Sequence, residues 1–343
     1  MERGRAGGLR GSAGPMTRTE LDAAGISDPA LRRSYRECRA LNAEHGKTFF
    51  LATRLLAPDQ RPAVHALYGF ARRADDILDG FDPLLTVPER ASRLGLLAKQ
   101  FESGDADGDP VLAAVLHTAE RYRIPGHLFD AFLTSMRMDL SVTDYANRSE
   151  LDDYVYGSAE VIGLQLLPVL GTATSVAQAA PYAAALGKAF QLTNFLRDID
   201  EDLARDRVYL PADELAAHGV DRELLLWCSR NRKTEPRVRA ALAAQHEITR
   251  GIYDYARAGI ESLAPRSQPC VATALTLYAR ILDRIEQRDF EVFGHRARVG
   301  TGTRLRVGVS GAVEAWWVRR RSDARPAPVS APAPVRGTAH EDR

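Results

Sequence analysis

The sequence is poor in cysteine and has no long apolar run. Only three of its 343 residues are cysteines, and they form no C-x-x-C pair: Cys38, Cys228 and Cys270. This spacing argues against a disulfide framework and against a structural zinc site. The most hydrophobic stretch, residues 161–169, contains glycine, glutamine and proline and is shorter than the roughly 18 residues that a membrane span needs. These absences predict a cytoplasmic protein that is not integral to a membrane.

A strong net charge is also missing. The 46 Lys and Arg residues balance 45 Asp and Glu residues, so the whole molecule has no field that would attract nucleic acid. No nucleic-acid partner is therefore expected, and any functional charge must be local.

What the sequence does have is helical periodicity. From about residue 31 to residue 293, apolar residues recur at intervals of three and four, which predicts an all-α fold. Glycine and proline clusters, among them residues 80–88, 104–110 and 171–181, mark breaks between helices. We predict a flexible N-terminal extension over residues 1–30, one helical domain over 31–300, and a basic, Pro/Ala-rich and mostly disordered tail over 301–343.

The tail contains one aromatic pair. Trp316 and Trp317 stand beside three arginines, a mixture suited to a peripheral contact with a membrane surface. A final helix docked on the core explains the same residues.

The first chemically informative segment is VHALYGFARRADDILDG. At 100° per residue, one helical face presents an aromatic, a cation and carboxylates: Tyr68, Arg72, Asp75, Asp76 and Asp79. Asp75 and Asp79 are four residues apart, so their repulsion weakens a bare helix by about 0.2–0.5 kcal/mol, and a bound cation would reverse that penalty. An acidic solvated face is the alternative interpretation.

A second acidic segment, QLTNFLRDIDEDLARDRVYLP, repeats this design about 120 residues later. Its polar face carries Gln191, Asn194, Asp198 and Asp202, opposite an apolar stripe. Such hard oxygen ligands suit Mg²⁺, with Mn²⁺ as the alternative cation. A di-iron bundle would need Glu-x-x-His pairs, and no histidine here has glutamate three positions before it.

Cationic and aromatic residues accompany these helices. His45, Lys47, Arg72 and Arg197 are candidates to bind diphosphate oxygens. A second set is expected to line an apolar cavity in which π faces stabilise a carbocation: Phe49, Tyr68, Tyr154 and Tyr156. Taken singly, each of these residues also fits a solvated charge or ordinary core packing.

Together with HGKTFFLATRLL, YVYGSAEVIGLQLLPVLG and ILDRIEQRDFEVF, the two acidic segments resemble the squalene and phytoene synthase family, and within it the members that form phytoene. The resemblance covers about residues 31–298. It implies a single-domain isoprenoid-synthase helical bundle with a central cavity. Metal binding is implied for Asp75, Asp79, Asn194, Asp198 and Asp202. Contact with substrate or its diphosphate is implied for Tyr68, Arg72, Gln191, Arg197 and Tyr209, with Tyr209 also a candidate catalytic group and Tyr154 a cavity residue.

The reaction implied by this resemblance is a Mg²⁺-dependent, head-to-head condensation of two geranylgeranyl diphosphates to phytoene through a cyclopropylcarbinyl diphosphate. It belongs to carotenoid biosynthesis and needs no NADPH. A squalene or dehydrosqualene synthase acting on farnesyl diphosphate is the nearer alternative, and a non-catalytic helical scaffold is the more distant one. Glu160 departs from the small neutral residue that family members often carry, which leaves the cavity lining there open.

Overall fold

The computed structural model describes residues 15–79, 85–294, 300, 307, 311–313 and 315–318, with side chains from residue 19 onward and without the side chain of Asp79. No strand occurs within these ranges, only two isolated bridges, Asp144–Val208 and Thr172–Leu263. The predicted all-α class is confirmed. The helices of residues 15–294 are α1 (Pro15–Ala23), α2 (Pro29–His45), α3 (Lys47–Thr53), α4 (Arg61–Asp79), α5 (Val87–Ser103), α6 (Pro110–Tyr122), α7 (Gly126–Met138), α8 (Arg148–Val155), a π-helical turn (Tyr156–Glu160), α9 (Val161–Leu170), α10 (Val176–Ala204), α11 (Ala212–Ala216), α12 (Arg222–Asn231), α13 (Pro236–Ala258), a 3₁₀ turn (Ile260–Ser262) and α14 (Gln268–Glu286).

Helix boundaries follow local capping chemistry. α2 begins where the Asp28 carboxylate accepts a hydrogen bond from the Leu31 amide at 2.7 Å, and α5 ends at Gly104 in the left-handed conformation. The predicted break at residues 171–181 is too long, because a capping box formed by Ser175 and Gln178 starts α10 ahead of Pro181. Proline is tolerated there because the carbonyl it leaves without a helical donor belongs to Ala177, which is exposed to water.

Two hydrophobic cores lie side by side. One is formed by α4, α5, α6, α7 and α9, and the other by α8, α10, α12, α13 and α14. α10 makes its most extensive contact with α13. On its other side the backbone of α10 approaches α9 and the π-helical turn closely, since a Cβ on Gly163 would lie 2.2 Å from the Ala183 carbonyl oxygen and a Cβ on Gly187 would lie 2.3 Å from that of Ala159.

The described part of the predicted N-terminal extension is helical and packs against α2. Residues 15–23 form α1, and Leu21, Ala24 and Ile26 are buried against α2. Glu20, also buried, accepts a hydrogen bond from Arg61 of α4 at 2.9 Å. Apolar side chains spaced along this short helix are buried against α2, and the flexibility of the extension stays a prediction. The domain boundaries at 30 and 300 stay a prediction.

A short helical segment returns to the core near the C-terminus. Within this C-terminal segment, meaning residues 311–313 and 315–318, Ala315 is buried against Ala52 and Leu56 on one side and Cys270 and Ala274 on the other. The aromatic pair of the same segment is exposed, at 41% for Trp316 and 53% for Trp317.

Candidate active site

An apolar cavity of about 300 Å³ lies between the two cores. Its walls come from α2, α3, α4, α9, α10, α13 and α14, and small and aliphatic side chains line most of it. Polar groups gather at one end, where Asn42, Tyr68, Gln191 and Asn194 face the cavity. The two acidic helices, α4 and α10, thus reach the same end of one apolar chamber.

α4 supplies the first group of polar side chains. Tyr68 lines the cavity, and burial raises the pKa of its phenol to about 12 while Arg72 acts in the opposite direction. The Arg72 guanidinium pairs with Asp76 at 2.5 Å, one helical turn further on. Asp75 lies close enough to raise the pKa of Tyr68. The side chain of Asp79 lies outside the described residues.

α10 supplies the second group of polar side chains. Arg197 forms a two-point ion pair with the neighbouring Asp198 carboxylate. Burial acts to lower the pKa of Arg197, but the hydrogen bonds and charge of Asp198 outweigh it and the pKa is raised. Burial, and then the nearby charge of Asp198, raise the pKa of Asp202 to about 7.

Asn194 adds an oxygen that protein atoms leave unsatisfied. Its amide nitrogen donates to the Gln191 carbonyl oxygen at 3.3 Å, whereas its own Oδ1 is buried without a hydrogen-bond partner. A buried oxygen of this kind normally has a partner. With the adjacent carboxylates it forms a hard-oxygen donor set that fits Mg²⁺ or Mn²⁺. Among the described side chains, no three His, Cys, Asp or Glu residues already stand in a metal-binding arrangement.

Tyr278 of α14 lies near polar residues of both α4 and α10, and it was not predicted from the sequence. Its ring lies 4.3 Å from Phe190 and 5.1 Å from Phe49, centroid to centroid, and its charge would influence both Tyr68 and Arg197. Phe49 lines the cavity as predicted from the sequence. In the sequence Tyr278 looks like an ordinary core position of an amphipathic helix, so periodicity alone gave no signal for it.

A buried tyrosine cluster adjoins α10. Tyr154 donates to one Asp139 carboxylate oxygen at 3.0 Å and Tyr209 to the other at 3.3 Å, while Arg207 donates to the Asp139 carbonyl at 2.6 Å. Tyr209 stacks on Phe195 with ring centroids 4.2 Å apart. Burial, followed by the charge of Asp139, raises the pKa values of both phenols. Asp139 had no sequence signal, since it is a lone acid at the end of α7.

Tyr154, near the end of α8, and Tyr156, at the start of the π-helical turn, do not line the cavity. Tyr154 packs in the tyrosine cluster and is not among the cavity-lining residues, and Tyr156 is 41% exposed. Ser158 and Ala159 line the cavity instead. The π-helical turn changes the rotation of the side chains from Tyr156 onward, whereas Tyr154 lies in the regular helix before it. Glu160 faces outward to a surface groove, 3.8 Å from Lys188, so it does not disturb the cavity lining.

His45 and Lys47 lie at the junction of α2 and α3, and both are exposed. His45 is 3.9 Å from Glu44. Neither residue lines the cavity, but Gly46 between them packs against the Tyr68 ring at the polar end. The structure therefore places them near the mouth of the cavity and not inside it.

Comparison with known proteins identifies the class. The squalene/phytoene synthase family model matches residues 42–303. A phytoene synthase of Arthrospira platensis is 37% identical over 291 residues, which span 81% of this chain and 92% of that protein. A 15-cis-phytoene synthase of Synechocystis sp. is 35% identical over 286 residues, spanning 80% and 83% respectively. The chain belongs to the squalene/phytoene synthase family, whose curated members include these prenyltransferases.

Solved structures share the fold. A dehydrosqualene synthase crystal structure superposes with a TM-score of 0.72 at 22% identity, covering 86% of this chain and 98% of that one. A squalene synthase from Alicyclobacillus acidocaldarius gives 0.68 at 24% identity, covering 78% and 98%. Within the described residues, no helix has the length and apolar character to cross a membrane.

Proposed function

We propose that this protein is a phytoene synthase, a prenyltransferase of carotenoid biosynthesis that joins two geranylgeranyl diphosphates head to head. The observation that carries the proposal is the apolar cavity whose polar end is built by two acidic helices. Its relatives support the same reaction, since named phytoene synthases are 35–37% identical to it over most of their length.

The residues that would hold Mg²⁺, or Mn²⁺ in its place, are Asp75, Asp79, Asn194, Asp198 and Asp202. When bound, the cation draws electron density from the diphosphate and neutralises the leaving group. Asp198 now shares its charge with Arg197. Ligation of Asp198 would compete with that pair and leave the guanidinium available to the diphosphate oxygens.

Diphosphate binding is assigned to cations at the polar end. Arg72 and Arg197 offer bidentate geometry, and Lys47 and His45 offer exposed charges near the mouth. Gln191 and Tyr68, both facing the cavity, are placed to contact the head group. The prenyl chains would occupy the apolar chamber behind them.

The cavity protects the carbocation that follows loss of diphosphate. The double bond of the second substrate attacks the allylic carbon, a proton leaves, and a cyclopropylcarbinyl (prephytoene) diphosphate forms. A second ionisation, rearrangement and loss of a proton then give phytoene. Phe49, Phe190 and Tyr68 line the chamber, where their π faces would stabilise the cation and the apolar walls would keep water away.

Tyr209 is better suited to positioning than to taking up a proton. Its raised pKa keeps the phenol protonated at neutral pH, and it donates to Asp139. The released pyrophosphate is therefore the stronger candidate for the base. No hydride enters the sequence of steps, so NADPH is not expected to be needed.

One assay tests this function. Purified protein is incubated with geranylgeranyl or farnesyl diphosphate, with Mg²⁺ or EDTA, and with or without NADPH. We expect a forty-carbon hydrocarbon with a conjugated triene from geranylgeranyl diphosphate and Mg²⁺ alone, and none with EDTA. A hydrocarbon formed only from farnesyl diphosphate would instead assign a squalene or dehydrosqualene synthase, and absence of turnover with every substrate would favour a scaffold.

A peripheral membrane contact in the cytoplasm is part of the proposal. Trp316 and Trp317 are exposed, and Arg319, Arg320 and Arg321 follow them in the sequence. Ala315 of the same segment packs on Ala52, Leu56 and Cys270, which also line the cavity, so a thin layer separates the aromatic pair from the site where hydrocarbon would form.

Vesicle sedimentation tests this contact. The wild-type protein should bind vesicles that contain anionic lipid, and replacing both tryptophans with serine should weaken binding several-fold without lowering the activity in detergent. Equal binding by the two proteins would contradict the assignment of this surface.

A further inference from the structure

The apolar cavity is long and runs beside α10. Asn194 marks its polar end, and Tyr182, twelve residues earlier on the same helix, also lines it. At 1.5 Å per residue these positions are roughly 18 Å apart along the helix axis. Tyr182 thus lies near the end of the chamber farthest from the acidic side chains, with Ala179 the one α10 lining residue beyond it.

Backbone hydrogen bonds join the two chain connections that lie at this far end. The Ala173 amide donates to the Ser262 carbonyl at 2.7 Å, and the Ala264 amide donates to the Gly171 carbonyl at 2.9 Å. The buried Gln60 amide donates to the Val169 carbonyl at 2.8 Å. The two backbone bonds tie the α9–α10 connection to the α13–α14 connection, and the Gln60 side chain adds a bond to the end of α9.

Aliphatic side chains, among them Ile260 and Leu263, line this end together with one aromatic ring, that of Tyr182. The Tyr182 ring stacks on Tyr255 of α13 with centroids 4.8 Å apart. Its base packs on Gly259, where an added Cβ would lie 2.1 Å from the Tyr182 Cβ. The lack of a side chain at Gly259 is therefore what allows Tyr182 to occupy this position.

Tyr255 belongs to the outer surface. It is 49% exposed, and it lines a surface groove with Pro181, Ala184, Ile248 and Ile252. The cavity and this groove lie on opposite sides of α10, and the stacked pair of tyrosines bridges them. Removing the Tyr182 ring would lengthen the chamber toward the groove. The groove itself is lined by apolar side chains, so a longer prenyl chain would meet an apolar surface there.

We propose that the Tyr182 ring, seated on Gly259 and backed by Tyr255, is the end wall of the cavity and sets the longest prenyl chain that the enzyme accepts. This inference rests on the proposed function, since it assumes that prenyl chains fill the chamber. It assigns substrate length to a position on the same helix as the second acidic motif, roughly three helical turns before Asn194 and four before Asp198.

The test compares geranylgeranyl diphosphate with the twenty-five-carbon geranylfarnesyl diphosphate. For each protein, kcat/KM is measured for both substrates with Mg²⁺, and the ratio is compared among wild type, Tyr182→Ala, Tyr182→Leu and Tyr182→Phe. Because one methylene in an apolar pocket is worth about tenfold or more in discrimination, Tyr182→Ala should raise the twenty-five-carbon to twenty-carbon ratio by at least about tenfold. Tyr182→Leu should raise it less, and Tyr182→Phe, which keeps the ring, should leave it unchanged.

Internal controls separate this claim from damage to the fold. The ratio is taken within one preparation, so loss of active enzyme cancels, and Tyr182→Leu serves if Tyr182→Ala does not fold. Tyr255→Ala, which changes only the outer partner, should have a smaller effect. Calorimetric titration with Mg²⁺ and the unreactive thiolodiphosphate analogue of each substrate gives the corresponding ratio of binding affinities.

The outcomes are distinguishable. Folded Tyr182→Ala and Tyr182→Leu proteins with the wild-type ratio, in turnover and in binding, would overturn the end-wall assignment while leaving the proposed function intact. A wild-type protein that binds both diphosphates but converts neither would contradict the proposed function, and the binding ratio of the variants would still decide the role of Tyr182.

Discussion

The aspartates of the second acidic motif have different partners, although Asp198, Asp200 and Asp202 stand at every second position of a five-residue stretch. Asp198 and Asp202 lie one helical turn apart, and the charge of Asp198 helps to raise the pKa of Asp202, whereas Asp200 accepts hydrogen bonds from the Ser229 hydroxyl at 2.5 Å and the Gly294 amide at 2.9 Å. Helical periodicity predicted this separation, because residues 198 and 202 share a face that residue 200 does not.

We predict that Asp75→Asn, Asp79→Asn, Asp198→Asn and Asp202→Asn each lower kcat by at least about 10²-fold, the scale expected when a group that stabilises developing charge is lost. Circular dichroism should stay helical. Asp200→Asn is the matched control: it should cost about 1–3 kcal/mol of unfolding free energy and leave the activity of the folded protein nearly unchanged. Near-normal activity in any two of the four site variants would contradict the assignment.

The buried imidazole of His65 should make the stability of the fold sensitive to acid. It is buried, and burial, with Arg39 and Arg61 nearby, lowers its pKa from 6.5 to about 3. Its Nδ1 accepts a hydrogen bond from the Asn42 amide at 3.0 Å, which requires the neutral ring. The unfolded chain therefore binds a proton that the native state rejects, so stability is fully present above pH 6.5 and is lost as pH falls toward 3.

Between pH 7 and pH 5 this single group should remove about 2 kcal/mol of unfolding free energy. Urea denaturation at both pH values measures the loss in wild type and in His65→Gln, which cannot take up that proton. The difference between the two losses isolates His65 from other titrating groups. Equal pH dependence in both proteins would show that another group is responsible.

Among the elements, the amphipathic helices were the most predictable and the π-helical turn the least. Periodicity located α4 and α10 and their polar faces, since both depend on local spacing. The π turn depends on tertiary contacts: the Ser135 hydroxyl donates to the Tyr154 carbonyl at 2.9 Å, and Gly157 lies against the Ala131 carbonyl of α7. No local pattern around Tyr156 indicates those partners, so the placement of its side chain could not be predicted.

The seating of α10 gives a prediction about glycine. Gly187→Ala places a methyl group against the Ala159 carbonyl oxygen, and overpacking of this kind should cost about 1–3 kcal/mol. Gly251→Ala in α13 is the matched control, because an added Cβ there meets no atom within 4 Å. It should stabilise the helix by about 0.5–1 kcal/mol. Thermal and urea unfolding measure both, and equal effects would contradict the close approach of α10.

At the scale of the whole molecule, the site exists only where two cores meet. The sequence predicted the two acidic faces and an apolar chamber, but not that Tyr278 of α14 would stand between α4 and α10, or that Tyr182 would lie at the far end. Those placements depend on how distant helices pack, and Tyr278 and Tyr182 carry no pattern of their own. The same limit applies to α1, whose apolar residues become interpretable only once α2 is present beside them.

The C-terminal region gives a prediction about the whole chain. Residues 322–343 are rich in Pro, Ala and Arg and have too few apolar side chains to bury a core. Deleting them together with residues 1–14 should leave the melting temperature and the specific activity in detergent nearly unchanged.

A longer deletion that begins at residue 311 also removes Ala315 and uncovers Leu55 and Leu56. Since about 1 kcal/mol corresponds to roughly 2–4 °C in a domain of this size or somewhat smaller, the longer deletion should lower the melting temperature by several degrees. It should also reduce turnover, because Leu56 and the neighbouring Ala52 line the cavity. Differential scanning fluorimetry and the detergent assay compare the two truncations, and an identical melting temperature for both would mean that the C-terminal segment does not stabilise this wall.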